Sequence, residues 1–381
     1  MSTVPKIHIW MPDVFQFKGG IQVYSAFFIQ ALEEILPDSD RCVFLKNDAQ
    51  STDDLQFNPR TQFQFARRWK SSWLHTPLFA LQVFFAALQQ RPDLIICGHI
   101  NFSPLALQIF KLLKIPYWVI VHGTDAWDVK NLSKINGLKA AQKIISVSEY
   151  TRNRILAEQK ISSDRIVLLA NTFDASRFLI QPKPQYLLDR YQFNAEQSII
   201  LTVARLASGD RYKGYDQIIQ SLPAIRRQIP NIHYLLVGKG DDRERVEAMI
   251  DTTNLRDCVT LAGFVSDSEL ADHYNLCDVF AMPSKGEGFG IVYLEALASG
   301  KPTIGGNQDG AIDPLCHGEL GALVNPDDIE EITQTIIQIL QGTYPNSLMY
   351  EPQNLRQKVI STFGLEQFQT TLAKHLEFSN L

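Results

Sequence analysis

The chain has 381 residues, enough for two to three domains and for a large core without staples. It is 45% hydrophobic, 20% charged and 10% aromatic, which excludes a disordered chain, a collagen-like fibre and a disulfide-bound mini-protein. The net charge of −5 is uneven: residues 1–177 carry 20 Lys+Arg against 15 Asp+Glu (+5) and the rest 16 against 26 (−10), so the two halves are expected to face different partners.

In chain order, 6–10 (KIHIW) reads as a strand. A loop ending in Gly19-Gly20 follows, then a helical pattern from Ile21 to about Leu36. Segments 41–45, 94–97, 117–121, 143–147 and 165–169 are further strands, most of them separated by helix-length stretches. Continuous apolar runs, rather than alternating ones, mark strands of a parallel sheet covered on both faces. The polar, proline-rich stretch Gln181-Pro-Lys-Pro184 reads as a linker. Beyond it the alternation restarts, with strands at 198–203, 232–237, 258–261 and 278–281 and helices at 215–229, 242–250, 267–276 and 290–299. Amphipathic stretches at 327–341 and 353–378 close the chain. The fold class is therefore α/β, with two Rossmann-like β/α/β domains facing across a cleft. The expected division is 1–178 on the acceptor side, 179–365 on the donor side, and 366–381 as a helix returning to the first domain.

Five cysteines, widely spaced and without C-x-x-C, read as reduced thiols rather than disulfides or a zinc site. The start of the chain lacks the apolar stretch of a signal peptide, and the apolar tract 78–88 falls short of the ~20 residues that span a bilayer. The expected location is cytoplasmic, with association at the inner face of the membrane.

The richest segment is Met282-Pro-Ser-Lys-Gly-Glu287-Gly-Phe-Gly-Ile-Val-Tyr-Leu-Glu295. A strand ends at Met282, a glycine-rich turn follows, and a helix begins near Gly290. The backbone N–H groups of Phe289, Gly290 and Ile291 then lie at a helix N-terminus, where unpaired donors and the dipole favour phosphate. Glu287 precedes the helix and Glu295 lies inside it, where a carboxylate can accept from two neighbouring hydroxyls. The bland alternative is that Glu287 caps the helix and Glu295 faces solvent.

Two glutamates seven residues apart within E-G-F-G-x-x-x-L-E-A-x-A-x-G resemble the family 4 glycosyltransferases, whose fold is GT-B. Other segments follow in the family's order. Val203-Ala-Arg205-Leu and Lys213-Gly-Tyr-Asp resemble its diphosphate-binding pair. Val237-Gly-Lys-Gly240, Gly263-Phe-Val265 and 278–284 resemble its nucleotide pocket, Gly19-Gly20 its phosphate loop, and His122-Gly-Thr-Asp125 its His-Gly strand end. The resemblance implies a retaining hexosyltransferase, with a nucleotide sugar as substrate and neither metal nor cofactor. Arg205 and Lys213 would neutralise the leaving diphosphate, helped by the amides of Phe289, Gly290 and Ile291. Glu287 would hold the sugar, Glu295 the ribose, and backbone at Val265 the base, with Gly20 approaching the phosphates. His122 would act through its ring or its carbonyl; Asp125 would orient it, touch the acceptor, or cap a helix. UDP-glucose is the first expected donor and GDP-mannose the second, with a glycan or lipid-linked acceptor in polysaccharide or glycolipid biosynthesis. Two departures stand out: Asn171-Thr-Phe-Asp174 lacks the family's glycine, so Asn171 reads as structural, and many relatives carry a glutamate in the segment Gly306-Asn-Gln-Asp309-Gly310.

Asp38-Ser-Asp40 matches a metal-binding string but reads as a surface turn beside Pro37. In 60–88, Arg60, Arg67, Arg68 and Lys70 interleave with Phe63, Phe65, Trp69 and Trp73 before an apolar stretch, which suits contact with an anionic membrane. The alternative is a core helix preceded by a solvated loop. No RNA module accompanies the tract, so nucleic acid is not an expected partner. Two other functions compete with transfer. A non-catalytic nucleotide-sugar binding protein would show no turnover. A dinucleotide oxidoreductase would need G-x-G-x-x-G, which neither half carries.

Overall fold

The computed structural model describes residues 4–15, 19–50, 56–66 and 72–377. The chain forms two compact units: residues 1–172 with 365–381, and residues 173–364.

In the first unit, β1 (Lys6–Met11), α1 (Gly20–Ile35), β2 (Asp40–Leu45), β3 (Thr61–Phe65), α2 (Ser72–Gln90), β4 (Leu94–Cys97), α3 (Ser103–Leu113), β5 (Tyr117–Val121), α4 (Leu132–Ala140), β6 (Lys143–Ser146), α5 (Glu149–Gln159) and β7 (Ile166–Leu168) follow one another. The sheet order is β3-β2-β1-β4-β5-β6-β7, with all pairs parallel. The second unit holds α6 (Gln185–Tyr191), β8 (Ser198–Val203), α7 (Tyr215–Gln228), β9 (Ile232–Val237), α8 (Arg243–Thr252), β10 (Val259–Gly263), α9 (Asp267–Leu276), β11 (Val279–Met282), α10 (Ile291–Ala298), β12 (Thr303–Gly306), β13 (Ala322–Val324), α11 (Ile329–Leu340) and α12 (Pro352–Phe363). Its order is β10-β9-β8-β11-β12-β13, also parallel. The last helix, α13 (Leu365–Glu377), belongs to the first unit.

Burial explains why the central strands read as unbroken apolar runs: every residue of β5 and of β9 is buried. α10 is buried nearly all round, with Tyr293, Leu294, Ala296, Leu297 and Ala298 fully inaccessible. α13 closes over α1, where Phe368 meets Tyr24 edge-to-face at 5.6 Å. The expected single stretch at 353–378 is thus two helices, broken at Gly364, whose extended φ and ψ (−63° and 164°) end α12.

The structure revises the tract around 60–88. Residues 61–65 form an edge strand, not a loop, with half-buried Phe63 packed on Phe15 and Phe57. α2 buries Phe79, Val83 and Ala87 and leaves Leu81, Phe85 and Leu88 exposed. Arg67, Arg68, Trp69, Lys70 and the Trp73 side chain lie outside the described residues. Among the described residues no helix is long and apolar enough to cross a membrane.

Each sheet has a topological switch point, between β1 and β4 in the first unit and between β8 and β11 in the second. Loops leaving neighbouring strands there run to opposite sides of the sheet and open a crevice at the carboxyl ends.

Candidate active site

In the second unit, the loops after β8 and β11 leave from the switch point and are stitched together. The Lys285 N–H donates to the Tyr212 carbonyl at 2.9 Å. Gly214 has φ +84°, and a Cβ there would lie 2.4 Å from the Pro283 carbonyl, so the turn into α7 requires glycine. This junction brings Lys213 onto Glu287, and the two form an ion pair with both side chains largely buried. Arg205, on the same β8 loop, pairs with Asp210 while its side chain stays 59% exposed.

Glu287 does not cap α10. The cap position is Gly290, at φ +91°, with no side-chain cap, so the helix starts at Ile291. The Tyr293 N–H turns back to the Gly290 carbonyl at 3.2 Å, no side chain of the cap residue covers the helix start, and such an end favours anions. Phe289 turns inward, its ring 5.6 Å from that of Phe363. A group not expected at the site fixes the Glu287 backbone. Fully buried Asp309 accepts from the Glu287 N–H (2.7 Å), the Ala311 N–H (2.9 Å) and Ser284 Oγ (2.7 Å). Burial raises its carboxyl to about 6 against those three hydrogen bonds. The signal in the sequence was the departure within 306–310, where Asp309 is the carboxylate that ties two loops together.

Glu295 does not face open solvent. Its Oε2 accepts from Tyr274 Oη at 2.7 Å, and burial pushes its carboxyl up to about 7. Val265 is half-buried after β10, beside Phe264, which is 67% exposed beneath the Lys239 ammonium. The second unit thus brings Lys213 and Glu287 into contact, while Arg205 and Glu295 hold other partners.

In the first unit, Gly20 opens α1, with no atom of the described residues within 4 Å of where a Cβ would lie; residues 16–18 of its loop are outside the described residues. His122 follows β5 and donates from Nε2 to the Gly98 carbonyl at 2.8 Å. Asp125 Oδ1 accepts the His122 backbone N–H at 2.9 Å, so this carboxylate closes the turn. Asp125 Oδ2 is buried, has no hydrogen-bond partner among the described residues, and lies 3.9 Å from His99 Nε2. His99, which no motif marked, lies two residues beyond β4 and accepts the Asn101 N–H at Nδ1; burial lowers its pKa. Tyr24 packs edge-to-face on His122 at 5.4 Å. Asn171 is buried, and its Oδ1 has no hydrogen-bond partner among the described residues. Asp40 stands at the amino end of β2, paired with Arg60 at 3.0 Å, and so lies at the opposite edge of the sheet from these loops.

Two family models divide the chain. Residues 19–177 match the Glycosyltransferase Family 4 model, and residues 187–358 the model for Glycosyl transferases group 1. A GDP-mannose-dependent alpha-(1-6)-phosphatidylinositol monomannoside mannosyltransferase of Mycobacterium tuberculosis is 31% identical over 201 residues, covering 51% of each chain. Mannosylfructose-phosphate synthase of Agrobacterium fabrum is 24% identical over 52% of this chain and 45% of its own. This chain spans about half the length of the curated relatives it matches. Among solved structures, sucrose-phosphate synthase from Thermosynechococcus elongatus superposes with a TM-score of 0.79 at 20% identity, over 99% of this chain and 100% of that one. Anabaena HepE in complex with UDP-glucose gives 0.77 at 18% identity, with coverage of 99% and 100%. These structural likenesses establish the fold, GT-B.

Proposed function

The chain belongs to glycosyltransferase family 4, and from that premise we propose that it moves a hexose from a nucleotide sugar to a glycan or lipid-linked acceptor. The observation that carries this reading is the Lys213–Glu287 pair at the switch point, with Arg205 on the same loop and the open end of α10 beyond Glu287. Breaking a sugar–nucleotide bond expels a diphosphate on which negative charge grows. Lys213 and Arg205 would meet that charge, with the amides at Phe289, Gly290 and Ile291. An ammonium has three donors, so Lys213 can hold Glu287 and a phosphate oxygen together. Glu287 would bind sugar hydroxyls, Glu295 the ribose and Val265 the base. Because the basic pair supplies the positive charge, we take the reaction to need neither metal nor cofactor. We take the anomeric configuration to be retained, as the family resemblance implies.

The named mannosyltransferase relatives move GDP-mannose ahead of UDP-glucose as the donor to test first. For the acceptor side, the exposed Leu81, Phe85 and Leu88 of α2 support peripheral contact with a membrane carrying a lipid-linked acceptor.

The test is a panel of GDP-, UDP- and ADP-sugars, read by thermal stabilisation and by release of nucleoside diphosphate. A donor at a hundred times its Kd adds ~2.7 kcal/mol of stability. One donor should stabilise and be slowly hydrolysed, with activity unchanged by EDTA. Stabilisation without release would make the chain a binding protein, and activity lost to EDTA and restored by manganese would overturn the metal-free reading.

A further inference from the structure

Glu295 is the carboxylate to which the reading above gives the ribose, and this inference rests on that reading. One of its oxygens is already engaged: Oε2 accepts from Tyr274 Oη at 2.7 Å, while Oε1 accepts no hydrogen bond from the described residues. Tyr274 lies in the last turn of α9, fully buried. Its ring is held edge-to-face on Phe178 (5.8 Å) and tilted on Phe280 (5.7 Å). The hydroxyl therefore has a fixed direction and aims at one acceptor.

Three charged or titratable groups face Glu295. Tyr274 and Asp267 come from α9, and Arg177 from the segment before α6. The Arg177 guanidinium is itself placed by a 2.9 Å hydrogen bond from Nη2 to the Asp267 carbonyl. Burial raises the Glu295 carboxyl and Asp267 adds to the rise, while Tyr274 and Arg177 oppose it. A protonated carboxyl turns one acceptor into a donor, whereas a vicinal diol that donates both hydroxyls needs two acceptor oxygens.

We propose that Tyr274 is a positioning residue for donor binding: its hydroxyl fixes Glu295 through Oε2, so that Oε1 and the remaining lone pair of Oε2 face two neighbouring ribose hydroxyls. Tyr274 touches no part of the donor and acts only through Glu295.

The experiment measures GDP and UDP affinity calorimetrically from pH 5.5 to 9 in the intact chain, in Tyr274→Phe and in Glu295→Gln. Tyr274→Phe keeps the ring and its packing. The nucleotide's own ionisation appears in all three profiles, and Glu295→Gln isolates it. The expected result is that the acid limb due to Glu295 moves up by about one pH unit in Tyr274→Phe, with affinity at pH 9 within about threefold of the unaltered chain. Site-specific 3-fluorotyrosine at 274, a stronger hydroxyl donor, should move the limb down. A Tyr274→Phe profile that superimposes on that of the unaltered chain overturns the proposal, as does an equal loss of affinity at every pH. If Glu295→Gln binds GDP and UDP as the unaltered chain does, the ribose assignment itself fails.

Discussion

The crevice ends of the two sheets are built from the same topology and differ in what their polar groups do. In the first unit, the His122 ring donates to the Gly98 carbonyl and Asp125 accepts a backbone amide, so the side chains hold the loops. In the second, Lys213 and Glu287 pair across two loops, Arg205 remains exposed, and the loops are held by a further residue, Asp309. On the proposed reading, the second unit separates scaffold from ligand chemistry, whereas the first assigns both to the same residues. A side chain relieved of structural work can exchange its partner for a ligand at low cost, so the comparison places the stronger ligand effects in the second unit.

The most severe test is Lys213→Ala. Turnover of a saturating donor should fall ~10²–10³-fold, the scale for removing one preorganised charge-stabilising donor. Asp309→Ala should act on folding instead. It leaves two amides and the Ser284 hydroxyl without their acceptor, and urea unfolding should show a loss of ~2–4 kcal/mol. His122→Ala removes one hydrogen bond and an aromatic contact, and the same assay should show ~1–2 kcal/mol. If it instead abolished turnover with stability intact, the ring would belong to the reaction and the contrast would collapse.

Stability against pH sharpens the comparison further. Glu295 (about 7) and Asp309 (about 6) are raised in the folded chain, so their contribution is present at low pH and is lost as pH rises from about 4 through those values. His8 (about 4) and His99 in the first unit are lowered, so stability is lost as pH falls below 6.5. Glu295→Gln should therefore gain stability relative to the unaltered chain between pH 5 and 8, read from urea midpoints. The smallest effect on folding is expected from Leu81→Glu with Phe85→Glu on exposed α2 positions, within about 0.5 kcal/mol. The same variant should no longer float with anionic vesicles, and full retention would remove the membrane assignment.

The long apolar strands were legible because both faces of each sheet are covered. β3, β12 and β13 were not. β3 alternates Thr-Gln-Phe-Gln-Phe as an edge strand, β12 ends in two glycines, and β13 has three residues, so none offers an apolar run. At the site, the glycine-rich turn and its two glutamates could be read because they are close in sequence. Tyr274 and Asp309 reach the same segment from 21 and 22 residues away, through contacts that no local spacing encodes. The separation of Glu287 from any helix cap likewise depended on Gly290 adopting a positive φ.

α13 carries a consequence for synthesis. Leu372 is fully buried and Phe368 nearly so, in a unit whose remaining residues all precede position 173. A ribosome therefore releases the material for the second unit before it has released the helix that completes the first. The earliest domain to emerge is the last to close, and during that interval Tyr24 and its neighbours on α1 lack their cover. A stop codon near residue 364 would consequently injure the amino-terminal unit, some 340 positions upstream of the lesion, and spare the one beside it.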